Sequence, residues 1–328
     1  MQRLGLAILG CGWIARRHAA AACVLRRDVV LSFASRDPAN AEFYRKRFGG
    51  AAAFGSYEAA LRAPEVDAVV ICTPHDRHEE AAVLAAAHGK HILVEKPIAR
   101  RLEEADRMIQ AAKAAGVALM VAENFRFMPA FRRVRRYLAE GWVGAVRQIQ
   151  ISAQGLGNPR GWRLDPGQMG GGVLIDGGIH YVDLLLQWGG EVKRLYALSP
   201  PKASSALSGE DTLSFLAQLT GGAVGFLSNS LAAPGMPRVQ WSSISGGEGA
   251  VFVDHHGRFL YVRSRRGRRI HLFRKDRRGH TAMLREFVDA VRAERPPEMA
   301  GAEGRRDLAV VLAAYRSLAT GKPVEVEP

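Results

Sequence analysis

Short apolar runs alternate with amphipathic stretches through the first 122 residues of the chain. The apolar runs at residues 4–10, 29–34, 66–73, 91–94 and 117–122 predict buried strands. The stretches at 18–25, 40–48, 79–88 and 103–115 predict helices, and Gly116 stops the last of them. Strands that alternate with helices favour a doubly wound parallel sheet, so we expect an α/β Rossmann domain here.

The pattern changes after about residue 123. A basic helix is predicted at 129–140, and alternation predicts strands at 146–153, 194–199, 212–219, 223–230, 250–253 and 259–262. One helix at about 172–188 interrupts the strands, and helices at 282–294 and 305–320 follow them. We therefore expect a Rossmann domain at 1–122 and an α+β domain at 123–328, with a large, mainly antiparallel, open-faced sheet.

The composition is that of an ordinary soluble protein, with 48% hydrophobic and 24% charged residues among 328. Three cysteines without paired spacing, Cys11, Cys23 and Cys72, argue against a disulfide framework and favour the reducing cytoplasm. No segment is predicted to span a membrane. The net charge of +14 could attract anionic partners, but an arginine-rich solvated surface is the favoured interpretation.

A glycine-rich turn follows the first predicted strand, in the order Gly10-Cys11-Gly12-Trp13-Ile14-Ala15. Gly10 permits the tight turn, Gly12 lets the backbone approach a pyrophosphate, and the small Ala15 lets helix and strand pack closely. The N-terminus of the following helix offers free N–H groups to the phosphates. Because the turn lies between a strand and a helix, it predicts a dinucleotide site.

The end of the second predicted strand distinguishes NADP from NAD. An acidic side chain there would bond the ribose hydroxyl, but the chain offers Ser35-Arg36-Asp37. A serine hydroxyl and a guanidinium suit a 2′-phosphate, so Ser35 and Arg36 favour NADP. Asp37 keeps NAD as the alternative, unless Asp37-Pro38 simply begins the next helix.

Two further patterns point to acid/base chemistry. Lys96, in Glu95-Lys96-Pro97, follows a parallel strand at the end where ligands bind; it either bonds a substrate oxygen or is a surface lysine. Asp176 and His180 are four residues apart, so one face of a helix presents both. The aspartate would orient the histidine for proton transfer at a hydroxyl, and Asp183 could support it one turn further on.

The whole chain resembles the glucose–fructose oxidoreductase and inositol dehydrogenase family of NAD(P)-dependent oxidoreductases. The resemblance rests on the glycine turn, Cys72-Thr73-Pro74 followed by His78, Glu95-Lys96-Pro97, and the glycine run before Asp176, Gly178, His180 and Asp183. It continues to Tyr315, Ser317 and Gly321. The resemblance implies hydride transfer between a nicotinamide and a carbinol or carbonyl carbon of a sugar, polyol or related hydroxy compound.

The resemblance also implies roles for individual residues. It makes Lys96, Asp176 and His180 the catalytic group, and these three also touch substrate. The implied cofactor-binding residues are Gly10, Gly12, Trp13, Ile14, Ser35, Arg36, Thr73, Pro74, His78, Glu95, Lys96 and Asn124. The implied substrate-binding residues in addition are Arg126, Trp162 and Arg163, the last two on a loop that closes over substrate.

Other interpretations were weighed beside this one. The cluster at 75–79 lacks a third strong metal ligand, so no metal site is expected. The basic run at 258–278 favours a charged edge hairpin over a nucleic-acid platform, and a homodimer or homotetramer through the C-terminal sheet is expected. Two rival functions remain open: a redox-neutral, NAD-dependent glycoside cleavage, and a non-catalytic ligand sensor or nucleic-acid binder.

Overall fold

The computed structural model describes residues 2–203, 207, 209–235 and 239–327. These residues divide into two compact units: the first comprises residues 1–123 and 280–305, and the second residues 124–279 and 306–328. We predicted one boundary near residue 122. The structure differs at the C-terminal end, because residues 280–305 return to the first unit. Sequence alternation could not reveal this return, since it depends on packing between segments far apart in the chain.

The first unit contains a six-stranded parallel sheet in the order β3-β2-β1-β4-β5-β6. Its strands are β1 (Leu4–Leu9), β2 (Val29–Ala34), β3 (Ala53–Phe54), β4 (Ala68–Ile71), β5 (His91–Val94) and β6 (Leu119–Val121). Its helices are α1 (Ala15–Val24), α2 (Pro38–Phe48), α3 (Tyr57–Arg62), α4 (His78–Ala87) and α5 (Leu102–Ala114). The predicted doubly wound sheet is confirmed.

The strand order of this sheet reverses between β1 and β4, where a doubly wound sheet opens a crevice beyond its carboxyl ends. Residues of β1, β4 and β5 are almost fully buried, as expected for strands covered on both faces. Helix α9 (His280–Arg292) packs on α1, and Arg285 and Arg292 both bond Asp28. These contacts explain why residues 280–305 belong to the first unit.

The second unit contains a nine-stranded sheet in the order β14-β13-β12-β11-β7-β10-β9-β8-β15. Its strands are β7 (Val146–Gln154), β8 (Val192–Leu198), β9 (Thr212–Leu219), β10 (Val224–Ser230), β11 (Trp241–Gly246), β12 (Gly249–Asp254), β13 (Phe259–Ser264), β14 (Gly267–Leu272) and β15 (Val324–Glu325). Among the described residues of this sheet, only the β7–β10 pair is parallel, so the predicted, mainly antiparallel sheet is confirmed.

The remaining helices are α6 (Pro129–Ala139), α7 (Pro166–Met169), α8 (Ile179–Gly189) and α10 (Gly301–Thr320). The helix predicted at about 172–188 consists of a π-helical turn, Leu174–Gly178, followed by α8. Helix α8 packs on one face of the sheet, where Gly225 of β10 leaves room for Leu185. Large apolar side chains are exposed along the strands, among them Leu198, Leu216 and Leu272.

The basic run forms the hairpin of β13 and β14 at the edge of this sheet, with Arg265, Arg266, Arg268 and Arg269 exposed. Strand β11 was missed in the sequence, because serines interrupt its apolar alternation, whereas the charged edge hairpin expected at 258–278 is present as β13 and β14. Among the described residues, no helix is long and apolar enough to cross a bilayer. The same residues contain no group of three His, Cys, Asp or Glu side chains placed to hold a metal ion.

Candidate active site

The glycine turn lies at the carboxyl end of β1, beside the point where the strand order reverses. Gly10 has a φ of +96°, and a Cβ atom there would lie 2.8 Å from the carbonyl oxygen of Cys72. A Cβ atom at Gly12 would meet no described atom within 4 Å, so the backbone faces open space. Trp13 is exposed, and Ile14 precedes α1 without a side-chain cap. This turn fits a pyrophosphate, as the sequence predicted.

The end of β2 presents Ser35 and Arg36, followed by a capped helix. Asp37 Oδ1 accepts a hydrogen bond from Ala39 N at 3.0 Å, and its Oδ2 accepts one from Asn40 Nδ2 at 3.1 Å. Ser35 Oγ accepts from Asp37 N at 3.2 Å, while Arg36 is exposed. Asp37 therefore caps α2 through Oδ1, which is the structural alternative weighed for it in the sequence.

His78 connects two turns at the same edge of the sheet. Its ring is fully buried, with Nδ1 2.9 Å from the Pro97 carbonyl oxygen and Nε2 3.1 Å from that of Thr73. Burial lowers the pKa of His78, against the opposing effect of these carbonyl groups. The ring thus positions the turns after β4 and β5 from behind. His78 therefore acts on the site indirectly, by holding the backbone carbonyl groups of Thr73 and Pro97.

Thr73 and Pro74 follow β4 at this edge. Thr73 Oγ1 is buried and has no hydrogen-bond partner among the described residues. A buried hydroxyl without a partner costs free energy, so it fits a site in which a bound group supplies the missing bond. Together with the open space at Gly12, this hydroxyl shows that the first unit suits a bound dinucleotide.

Glu95 forms a buried pair with a histidine that the sequence did not single out. His18, on α1, places Nε2 2.6 Å from Glu95 Oε1, and both residues are buried. Burial alone would raise the pKa of Glu95, but the hydrogen bond and charge of His18, with Lys96 and His280, lower it to about 2. Glu95 is therefore ionised at neutral pH, directly before the half-buried Lys96.

In the second unit, Asp176 lies in the π-helical turn and His180 in the first turn of α8. Arg163 Nε donates to Asp176 Oδ2 at 2.8 Å, and the Arg163 guanidinium lies 4.4 Å from the ring centre of Trp162. The structure therefore brings together three residues that the sequence predicted for the site. The contact fixes Asp176 as an ionised carboxylate beside a cation.

The ring of His180 stacks on Phe125, with centroids 4.4 Å apart and planes inclined by 10°. Phe125 lies in the turn Asn124–Phe127 and is itself packed against Tyr181 and Phe131. The sequence analysis missed Phe125, because nothing in its local pattern links it to a residue 55 positions away. Stacking restricts rotation of the imidazole. A group that transfers a proton needs such a fixed orientation.

Arg126 and Asp183 form an ion pair in which both side chains are buried. Gln187 Nε2 also donates to the Asp183 carboxylate. We expected Arg126 to bind substrate and Asp183 to support His180; the structure shows the two bonded to each other. Asn124 Nδ2 donates to the carbonyl oxygen of Arg278 at 2.7 Å. These bonds tie the turn that carries Phe125 to α8 and to residue 278.

The chain combines a Rossmann sheet and its open glycine turn with an α+β unit that carries an aspartate–histidine turn. This combination defines a class of dinucleotide-binding oxidoreductases. Residues 4–123 match the oxidoreductase family with an NAD-binding Rossmann fold, and residues 131–252 match the GFO/IDH/MocA C-terminal domain. The chain belongs to the GFO/IDH/MocA family. The predicted family and the predicted NAD(P)-dependent oxidoreductase activity are confirmed.

Three relatives illustrate the similarity. Myo-inositol 2-dehydrogenase of Thermotoga maritima is 25% identical over 332 residues, which cover 98% of this chain and 98% of that protein. The scyllo-inositol 2-dehydrogenase (NADP(+)) IolU of Bacillus subtilis is 36% identical over 146 residues, 44% of each chain. The crystal structure of GenD2 from gentamicin A biosynthesis, in complex with NAD, gives a TM-score of 0.88 at 28% identity, covering 100% of this chain and 97% of that one.

Proposed function

We propose that this protein is an NAD(P)-dependent dehydrogenase of neutral sugars or polyols, with Lys96, Asp176 and His180 as its catalytic residues. The observation that carries the assignment is the orientation of His180 by the stacked ring of Phe125, one turn after the ionised Asp176. The similarity to dehydrogenases of two inositols supports a polyol substrate.

Each catalytic residue has one task in the direction of oxidation. His180 accepts the proton of the substrate hydroxyl, and Asp176 stabilises the resulting imidazolium. Lys96 donates a hydrogen bond to the same oxygen and stabilises its negative charge as the proton leaves. A nicotinamide cofactor held by the first unit would supply the hydride acceptor for the carbon that carries this hydroxyl.

The cofactor is held by the first unit. The residues that would contact it are those of the glycine turn with Trp13 and Ile14, the hydroxyl of Thr73, and Pro74, Glu95 and Lys96. His78 would not touch the cofactor directly; it would position these turns through the carbonyl groups of Thr73 and Pro97. Asn124 is also among the proposed cofactor-binding residues.

NADP is the proposed cofactor, and NAD is the alternative. Asp37 Oδ1 caps α2 and Oδ2 accepts from the Asn40 side chain, so both oxygens already serve the start of this helix. Ser35 and the exposed Arg36 remain, and a guanidinium suits a 2′-phosphate. The NADP-dependent relative IolU supports this assignment, whereas the NAD complex of GenD2 supports the alternative.

A neutral substrate is favoured over an acidic one because the arginines around α8 are paired. Arg163 bonds Asp176, and Arg126 bonds Asp183, so each cation is balanced by a carboxylate. The largest run of arginines instead lies in the exposed edge hairpin of β13 and β14. Trp162 and Arg163 then contact substrate hydroxyls, and Arg126 holds α8 through Asp183.

The exposed apolar face of the nine-stranded sheet supports a homodimer or homotetramer. Leu198, Leu216 and Leu272 are each more than half exposed on this sheet. Leu198 and Leu216 lie on the neighbouring strands β8 and β9, and an exposed apolar patch of this kind marks a protein–protein interface. Light scattering of the purified protein tests this proposal, and a monomer at micromolar concentration would contradict it.

The first test is a paired titration of the protein with NADPH and NADH, followed by nicotinamide fluorescence. We expect tighter binding of NADPH, and loss of that preference in the double variant Ser35→Asp/Arg36→Ala. Equal affinities, or a preference for NADH, would reject the proposed 2′-phosphate site.

Turnover is then measured with myo-inositol, scyllo-inositol and a panel of neutral sugars. Lys96→Ala and His180→Ala should each lower kcat by about 100-fold or more, whereas Lys113→Ala and His88→Ala serve as matched controls at residues outside the site. Undiminished turnover in His180→Ala would refute its role. Release of sugar from a nitrophenyl glycoside without net cofactor reduction would instead favour the redox-neutral rival.

A further inference from the structure

We propose that Glu210 and Tyr315 are positioning residues that hold the turn carrying Asp176 and His180 in its catalytic orientation. The proposal rests on the proposed function, which makes Asp176 and His180 the acid/base pair. Neither Glu210 nor Tyr315 is assigned to the reacting groups. We call the pair the backbone clamp.

Tyr315, on α10, supplies one half of the clamp. Its hydroxyl oxygen accepts hydrogen bonds from Gly172 N at 3.1 Å and from Ile175 N at 3.2 Å. The same hydroxyl donates to Glu210 Oε1 at 3.0 Å. Burial raises the pKa of Tyr315 well above its ordinary value, so the phenol keeps its proton for this bond at neutral pH.

Glu210 supplies the other half from the loop before β9. Its carbonyl oxygen accepts from Val173 N at 2.8 Å, and its Oε1 accepts from Leu174 N at 2.9 Å. Together with the two bonds to Tyr315, four consecutive backbone N–H groups have an acceptor on the clamp. These are the groups that a helix leaves without partners at its N-terminus, and Val173 offers no side-chain cap there.

The glycines before the turn are explained by the close approach of the clamp. A Cβ atom at Gly171 would lie 2.5 Å from the Tyr315 hydroxyl oxygen, and one at Gly172 would lie 2.2 Å from the Glu210 carbonyl oxygen. A Cβ atom at Gly209 would lie 2.5 Å from the Cα of Gly172. Any side chain at these three positions would push the clamp away from the turn.

The clamp acts at the start of an unusual turn. The segment Leu174–Gly178 is π-helical and contains Asp176, and α8 with His180 follows directly. π-Helical turns are rare, and they change the rotation of the residues that follow them about the helix axis. By fixing the backbone at residues 172–175, the clamp sets the direction in which both side chains leave the helix.

The test compares two hydroxyl deletions on the same helix, Tyr315→Phe and Ser317→Ala. Ser317 is the matched control because its buried hydroxyl bonds Ala197 N and the Lys322 carbonyl, remote from the turn. We expect Tyr315→Phe alone to speed amide exchange at residues 172–175 by about tenfold or more. It should also shift the NMR resonance of His180, which His180→Gln assigns.

With a polyol substrate, Tyr315→Phe should lower kcat by about tenfold or more while leaving the affinity for NADPH unchanged, because small displacements of catalytic groups are costly. Glu210→Gln keeps an acceptor oxygen and should retain more activity than Glu210→Ala. This second pair of variants also tests the clamp should Tyr315→Phe fail to fold.

Exchange and the His180 resonance are measured without substrate, so they decide the clamp even if the proposed reaction is wrong. If Tyr315→Phe behaves like Ser317→Ala in both measurements, the clamp is overturned. If both measurements change but His180→Ala is fully active, the clamp stands as a structural device and the catalytic roles fall instead.

Discussion

Substitution of His18 by glutamine would test how the ionised Glu95 is stabilised. The two side chains are buried and 2.6 Å apart, and Glu95 precedes Lys96. In His18→Gln the carboxylate keeps its burial but loses the imidazole that bonds it. Removal of one member of a buried pair is costly because the other charge is left in a poor solvent.

The pKa of Glu95 gives the magnitude. A value of about 2, against an ordinary 4.5, corresponds to about 3 kcal/mol of stabilisation at pH 7. Because the pKa is lower in the folded state, this stabilisation is complete above about pH 4.5 and is lost as the pH falls towards 2. Because Lys96 and His280 supply part of the shift, we expect His18→Gln to lower the free energy of unfolding by up to about 3 kcal/mol at pH 7, and by up to about 1 kcal/mol less at pH 3.5.

Urea unfolding followed by circular dichroism, at pH 7 and pH 3.5, measures both differences. The control is Arg305→Gln in the same unit, whose partner Asp106 is partly exposed to solvent, so its effect should not exceed about 1 kcal/mol. A loss in His18→Gln no larger than that of the control would refute the reasoning. A large loss that is equal at both pH values would show that packing, not the charge of Glu95, is responsible.

Three further predictions concern Phe125, His255 and Gly10. Phe125→Leu removes the stacked face of His180 and should lower kcat severalfold without changing cofactor affinity; unchanged kcat would contradict this. Burial lowers the pKa of His255 to about 3, so unfolding becomes easier as the pH falls from about 6.5 towards 3, and His255→Gln should flatten that dependence in melting curves. Gly10→Ala forces a Cβ atom to 2.8 Å from the Cys72 carbonyl oxygen at a φ of +96° and should abolish NADPH binding in the fluorescence titration, whereas retained affinity would show that the turn can adapt.

Much of the first unit is predictable from local sequence. Buried parallel strands are continuous apolar runs, so β1, β4 and β5 stand out, and the glycine turn follows β1 directly. The cap at Asp37 was also among the sequence alternatives, because Asp-Pro begins helices through local bonds alone. Local patterns suffice wherever the partner of a residue lies within a few positions of it.

The positions of Lys96, Asp176 and His180 in the chain were also evident, since each lies in a short motif. The contacts that hold these residues in place were not evident from the sequence. The bond between His18 and Glu95 joins residues 77 positions apart, and Tyr315 bonds Gly172 across 143. The hydrophobic periodicity of a sequence does not reveal contacts between residues so far apart in the chain.

The sequence by itself thus determined the two kinds of sheet, the dinucleotide turn and the family. Only the tertiary structure decided that residues 280–305 return to the first unit, that Arg126 is bonded to Asp183, and that a π-helical turn carries Asp176. The physical reason is that hydrophobic alternation and turn chemistry act between neighbours along the chain. Burial, by contrast, makes each polar group find a partner wherever the fold brings one within reach.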